Sequence, residues 1–325
     1  MTAKQAGFNL IELMIALVVG IVLMASITTM FVDTKVSANR SSTVSNLQQQ
    51  AQLALQVLVD DVRSIGSWAE FSGEDLADIQ VPNIAGVNCS IVPAVGAVNA
   101  GNAHIPVTAN WILSSSVVGV GNVNVANACL APGYTISGGS DVVSIARVRG
   151  LITAVSDINS DSYYVAIAPQ QAQLFEGRAP NGATNIDNVE IYPYVQHTYI
   201  VESHAIDGPR LSRFSFTDGD FITDMVVGNI EQIRIDFGVD NNEDGRADNY
   251  NMSANITEQM WRMNQIVSAR IYVLARAKNK DMTFNNDAAY NVRFLPFTPT
   301  NNDNYRRFLL ATTVVIKNNM MAVTQ

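Results

Sequence analysis

The chain has 325 residues, enough for one large or two modest domains with appendages. Its formal net charge is −9, from 20 Lys+Arg against 29 Asp+Glu, which argues against nonspecific nucleic-acid binding, a task that needs cations to displace phosphate counterions. Hydrophobic residues make up 48% beside 15% charged, and part of that excess is concentrated in residues 8–31 rather than in a soluble core.

The stretch "GFNLIELMIALVVG", residues 7–20, sets Glu12 a few positions into an apolar run. From Phe8 to Phe31 the polar exceptions are Asn9, Glu12, Ser26, Thr28 and Thr29. About 20 such residues cross a hydrocarbon core as a helix. An ordinary secretory signal ends its apolar run at a small-residue cleavage site. Here "MASITTMF" is the nearest approach, and the small residue, Gly7, stands before the run. An uncleaved anchor is the plain alternative, and Glu12 decides against it. An acid at the centre of a membrane helix costs about 2.5–3.5 kcal/mol and calls for a partner. Cutting after Gly7 would leave Phe8 with a free ammonium, one helical turn from Glu12. In low dielectric that amine, or a neighbouring subunit's, is strongly attracted to the carboxylate and sets axial register between packed helices.

The pattern G-F-x-x-x-E before a long apolar run resembles the leader and first helix of type IV pilins and type II secretion pseudopilins. The resemblance implies residues 1–7 as leader peptide, cleavage after Gly7 by an inner-membrane prepilin peptidase, N-methylation of Phe8, and Glu12 pairing during assembly. It also implies a type IV pilin fold, with residues 8–31 as the transmembrane and assembly half of the helix.

Residues 32–66 continue that helix as an amphipathic half. Val44, Leu47, Ala51, Ala54, Leu58, Val62 and Ile65 follow at spacings of three or four, forming one apolar stripe. No proline interrupts residues 1–68, and Gly66 is the expected stop. "VLVDDVRSIGSW", residues 57–68, resembles more loosely the same helix end in PilW-like minor pilins, while Asp61 and Arg63 also read as a solvated face.

Residues 67–325 form the expected β-rich periplasmic head, with an unassigned insert around 75–135. Cys89 and Cys129 both fall in that insert, without CxxC or Cys/His clustering. Export across a membrane favours a disulfide between them. Closing such a loop would stabilise the fold by roughly 4 kcal/mol in the chain-entropy model.

Beyond the insert, short runs of β-formers separated by Gly, Asn, Asp and Pro predict strands at 141–149, 162–168, 195–203, 210–218, 230–239, 265–276 and 306–318. Several alternate polar and apolar residues, as antiparallel strands with one wet face do. A helical turn is expected to open the 230–239 segment. The fold class is α+β, the long N-terminal helix packed on an antiparallel sheet. The closing stretch "YRRFLLATTVVIKN" also resembles PilW-like chains.

"DNNEDGRADNYN", residues 240–251, places Asp240, Asn242, Asp244, Gly245 and Asp248 at positions 1, 3, 5, 6 and 9 of a calcium loop, with Arg246 offering a carbonyl. Asn251 stands where that loop needs a bidentate Glu. Two readings stand side by side: a structural Ca²⁺ loop, and a plain hairpin turn announced by Asp-Gly.

No catalytic constellation is legible. His104, His197 and His204 are scattered, with Glu202 between the last two, and no GxSxG or Walker A motif occurs. The resemblance therefore implies an assembly subunit, not an enzyme: a minor pilin that initiates or caps a type IV pilus and serves twitching motility. It would wait in the inner membrane, its head periplasmic, before joining the pilus, at its tip. Its implied partners are other minor pilins, the major pilin, the prepilin peptidase and a large tip adhesin, with no nucleic acid. A J-like pseudopilin of type II secretion is the nearest alternative, and a tip adhesin or ligand-binding protein comes from another class.

Overall fold

A computed structural model of the chain describes residues 9–71, 91–93, 111–113, 123–125, 133–169, 171–178, 188–217, 220–252, 255–256, 260, 263, 265–292, 296–299 and 303–316. The chain divides into two units, residues 1–46 and 47–325. Gly7, Phe8, His104 and both cysteines lie outside the described residues, as does most of the 75–135 insert.

Helix α1 runs from Leu10 to Arg63. In the first unit its apolar side chains are exposed, Leu10 at 75% and Met24 at 72%. Among the described residues it is the one helix long and apolar enough to cross a membrane. Ser26, Thr28 and Thr34 donate their hydroxyls to carbonyls four residues earlier, which hides these polar groups within the helix.

In the second unit the helix buries Leu47, Ala51, Ala54, Leu58 and Val62 of the stripe expected from the spacing, whereas Val44, in the first unit, is exposed. Each large apolar side chain so covered stabilises the fold by about 1.5–3 kcal/mol. After Arg63 the chain turns through Gly66, whose φ of +77° is a left-handed conformation that favours glycine.

The strands are β1 (Ile91–Pro93), β2 (Trp111–Leu113), β3 (Val123–Val125), β4 (Tyr134–Ile136), β5 (Val142–Val148), β6 (Tyr163–Ala168) and β7 (Gln171–Glu176). They continue with β8 (Glu190–His204), β9 (Gly208–Thr217), β10 (Asp220–Gly228), β11 (Ile230–Val239), β12 (Asn249–Met252), β13 (Ile266–Arg276) and β14 (Arg307–Val315). All seven expected strands are present. The expected helical turn at the head of β11 is not: Ile230 already pairs with Ala275.

The head carries two main antiparallel sheets where one was expected. The larger has eight strands around β8, whose 15 residues pair with β6, β5, β4 and β9 in turn. The smaller runs β12-β11-β13-β14. Strand β2, from the insert, extends the larger sheet by pairing with β5. The two sheets meet where the chain enters β5. Asp141 donates its N–H to Ile233 and accepts from Ile235, while Ser140 accepts from Ile233.

One core unites the helix stripe with residues of both sheets, including Val143, Ile145, Tyr199, Leu211, Ile233, Phe237, Ile271 and Val273. A second core gathers Trp68, just past the helix, with Val148, Tyr163, Val165, Leu174 and Tyr194.

Candidate functional site

Glu12 sits in the first turn of α1. Its Oε2 accepts the N–H of Asn9 at 3.3 Å, while the Asn9 carbonyl accepts from Glu12 and Leu13. The carboxylate thus caps the helix N-terminus, where negative charge is favoured by the orphan N–H groups. Among the described residues no basic side chain pairs with it.

A buried polar cluster of the head lies at the other end of α1. Asp61 is 6% exposed, which corrects its reading as a solvated face. Arg147 Nη2, from β5, donates to Asp61 Oδ1 at 3.0 Å. From β8, the Tyr199 hydroxyl donates to Asp61 Oδ2 at 2.5 Å, and His197 Nδ1 lies at the same distance from that oxygen. The rings of His197 and Tyr199 meet edge to face, 6.3 Å apart.

Burial pushes the Asp61 carboxyl up, but His197, Tyr199 and Arg147 together overcome it and hold the group well below the usual carboxylate range. Burial and the adjacent Asp61 charge drive the Tyr199 hydroxyl upward, so it remains a donor. Three donors from two strands therefore converge on one helical carboxylate. The cluster fixes the helix end against the sheet.

The stripe's own spacing was the missed signal. Three residues past Leu58 and four before Ile65, position 61 falls on the buried face, and an acid there requires partners. Arg63, by contrast, is exposed.

A second cluster crosses the small sheet. Arg307, whose side chain is 2% exposed, donates from Nε to Glu231 Oε2 at 2.5 Å and from Nη1 to Asp303 Oδ1 at 2.9 Å. Nearby, Arg276 stacks over Tyr305 at 4.4 Å and Arg306 over Phe284 at 4.2 Å. These contacts pin the long excursion between β13 and β14 to β11.

The bracketing of Glu202 by histidines has a structural outcome. His197 belongs to the Asp61 cluster, whereas His204 stacks on Tyr134 at 4.8 Å. Glu202 is fully buried and accepts from Arg210 and Ser212 at 2.7 and 2.8 Å. No shared metal centre joins them.

The loop between β11 and β12 caps itself. Asp240 Oδ1 accepts the N–H groups of Asn242 and Glu243, and Oδ2 accepts that of Gly245 at 2.7 Å. Asp244 accepts from the Arg246 N–H and Asp248 from the Asn241 N–H. The Asn242 amide nitrogen stands 3.5 Å from Asp244 and 3.4 Å from Asp248. Among the described residues no three His, Cys, Asp or Glu side chains close on one point. Gly238, at a strand irregularity behind this loop, is required by space: an added Cβ would lie 2.1 Å from Ser268 Oγ and 2.7 Å from Ala247 Cβ.

Residues 198–318 match a family model described as Type IV Pilus-assembly protein W. Among solved structures, a type IV-like pilin from Thermus thermophilus aligns over 84% of this chain and 97% of its own, at 10% identity and a TM-score of 0.33. No curated protein matches the sequence. The family match spans the C-terminal part of β8 and all of β9 to β14, so the resemblance drawn from the closing strand holds across these strands.

Proposed function

We propose that this chain is a minor pilin, an assembly subunit that initiates or caps a type IV pilus through helix packing and head contacts. The observation that carries the reading is the pilus-assembly family match over the C-terminal strands, on a chain whose N-terminal helix is apolar and exposed. A helix with that surface is suited to lipid before assembly and to other helices after it. Glu12, capping its first turn, supplies the charge that a neighbour's N-terminal amine would meet. In this role the buried clusters of the head hold its surfaces rigid and perform no reaction. The loop at 240–248 is read as a structural calcium loop on the sequence spacing of Asp240, Asn242, Asp244, Gly245 and Asp248.

Intact mass and N-terminal sequencing of the chain from its native membrane test this reading. A mature form beginning at methylated Phe8 is expected, and one still beginning at Met1 would overturn it. Deletion separates the alternatives: loss of twitching motility marks a pilus, loss of exoprotein secretion a J-like pseudopilin.

A further inference from the structure

Side chains of β8 alternate between two faces, and strand pairing carries the alternation across β5 and β9. Tyr199, Val201, Ile145 and Leu211 meet the helix stripe. Ser144, Thr198, Ile200, Glu202, Ser212 and Phe214 turn to the opposite, outer face, and all six are fully buried. Among the described residues, however, Ile200 and Phe214 join no apolar core. Nor does the buried Glu202 Oε1 have a hydrogen-bond partner there. One chain alone hides these side chains, so their cover belongs to that chain and not to a neighbour.

Both ends of the 72–132 insert lie beside this face. Ahead of it, Trp68 and Phe71 pack with Val148 and Tyr194, which mark one end of the outer face. Behind it, Tyr134 stacks on His204 at the other end, where β4 pairs with β8. The run of β8 from Tyr194 to His204 spans about 33 Å. Partway along, β2 of the insert pairs with β5 at Ser144 itself. A segment that leaves one end of the face, touches its edge and returns at the other end has the outer surface in its path.

Composition points the same way. From Ile79 to Pro132 the insert holds no Lys, Arg, Asp or Glu, in a chain that is 15% charged. Segments that stay in solvent are rich in charge and poor in β-branched residues, whereas this one mixes Val, Ile and Ala with Asn, Ser and Gly. Its apolar side chains suit Ile200 and Phe214, and its Asn and Ser donors suit the unmet oxygen of Glu202. The covered zone ends at β10, where Met225 stands opposite Ser212 and is 62% exposed.

We propose that residues 79–132 dock across the outer face of the larger sheet as a third layer of the head, and are not an arm free to bind a ligand. This inference does not depend on the assembly reading above.

The test uses the detergent-solubilised full chain with benzoylphenylalanine at Met225, on the rim of the face. Ile222, exposed on the helix side of the same strand, is the control position. Photocrosslinks from position 225 into 79–132 of the same chain, mapped by mass spectrometry, are expected, with none there from position 222. Crosslinks from 225 only into other parts of the chain, or none at all, would overturn the assignment to the insert. Crosslinks into a second copy would show a cover from outside and would equally overturn it. A second measurement reads the burial directly. Ser212→Cys and Thr198→Cys should react with a maleimide at least about tenfold more slowly than Met225→Cys, because local opening limits them. Equal rates would mean that the outer face is open and would refute the layer.

Discussion

Replacing Asp61 by asparagine keeps the side chain's shape and removes its charge. In the native head that charge faces Arg147, His197 and Tyr199, with side-chain exposures of 9% for Asp61, 19% for Arg147 and 17% for His197. Asparagine can accept from one donor, but its NH₂ group must then face the others. Removing one partner of a buried pair costs about 3–5 kcal/mol, and the partial exposure of Arg147 places this case near the lower end. For a head of this size a loss of about 3 kcal/mol lowers Tm by roughly 6–12 °C. Thermal melts of the detergent-solubilised full chain, followed by tryptophan fluorescence, report it, because buried Trp68 lies just past the helix end.

The pH dependence gives an independent check. The folded Asp61 carboxyl lies below its unfolded value of 3.8, so its contribution is full above that value and fades as pH falls through and below it. Wild type and Asp61→Asn should therefore differ most at neutral pH and converge in acid. A variant melting within about 2 °C of wild type at pH 7, or a gap unchanged at about pH 3, would refute the cluster as an energetic clamp.

Further outcomes follow from the other clusters. Arg307→Lys keeps the charge but loses the planar fork that reaches Glu231 and Asp303, and an unfolding free energy from urea titration lowered by about 2–4 kcal/mol is expected. Full stability would mean that a point charge suffices there. Glu12→Ala should insert into the membrane normally yet be depleted from the pilus fraction, read as the ratio of pilus-bound to membrane-bound chain. An unchanged ratio would remove Glu12 from assembly. Millimolar calcium should raise Tm, and Asp244→Asn, which keeps the oxygen that accepts from the Arg246 N–H, should abolish the rise. A flat wild-type response would leave the loop as a self-capped turn.

Much of this architecture was legible because it is written in local spacing. The apolar run, the stripe from Leu47 to Ile65 and the strand alternation depend on residues a few positions apart, so period alone reveals them. β10 escaped notice because "DFITDMVVG" lacks that alternation and is recruited by β9, and β7 because "QAQLFE" alternates over only four residues before Phe175 and is recruited by β6.

By itself, the sequence settled the membrane-length helix, the position of its acid, the α+β class and the order of the main strands. Only the tertiary structure decided that Asp61 is buried, because its partners lie 86 to 138 residues away on β5 and β8. It alone divided the head into two sheets and set Arg307 between Glu231 and Asp303. Those outcomes depend on which strands become neighbours, and strand pairing is settled by packing across the whole chain, which no local period records.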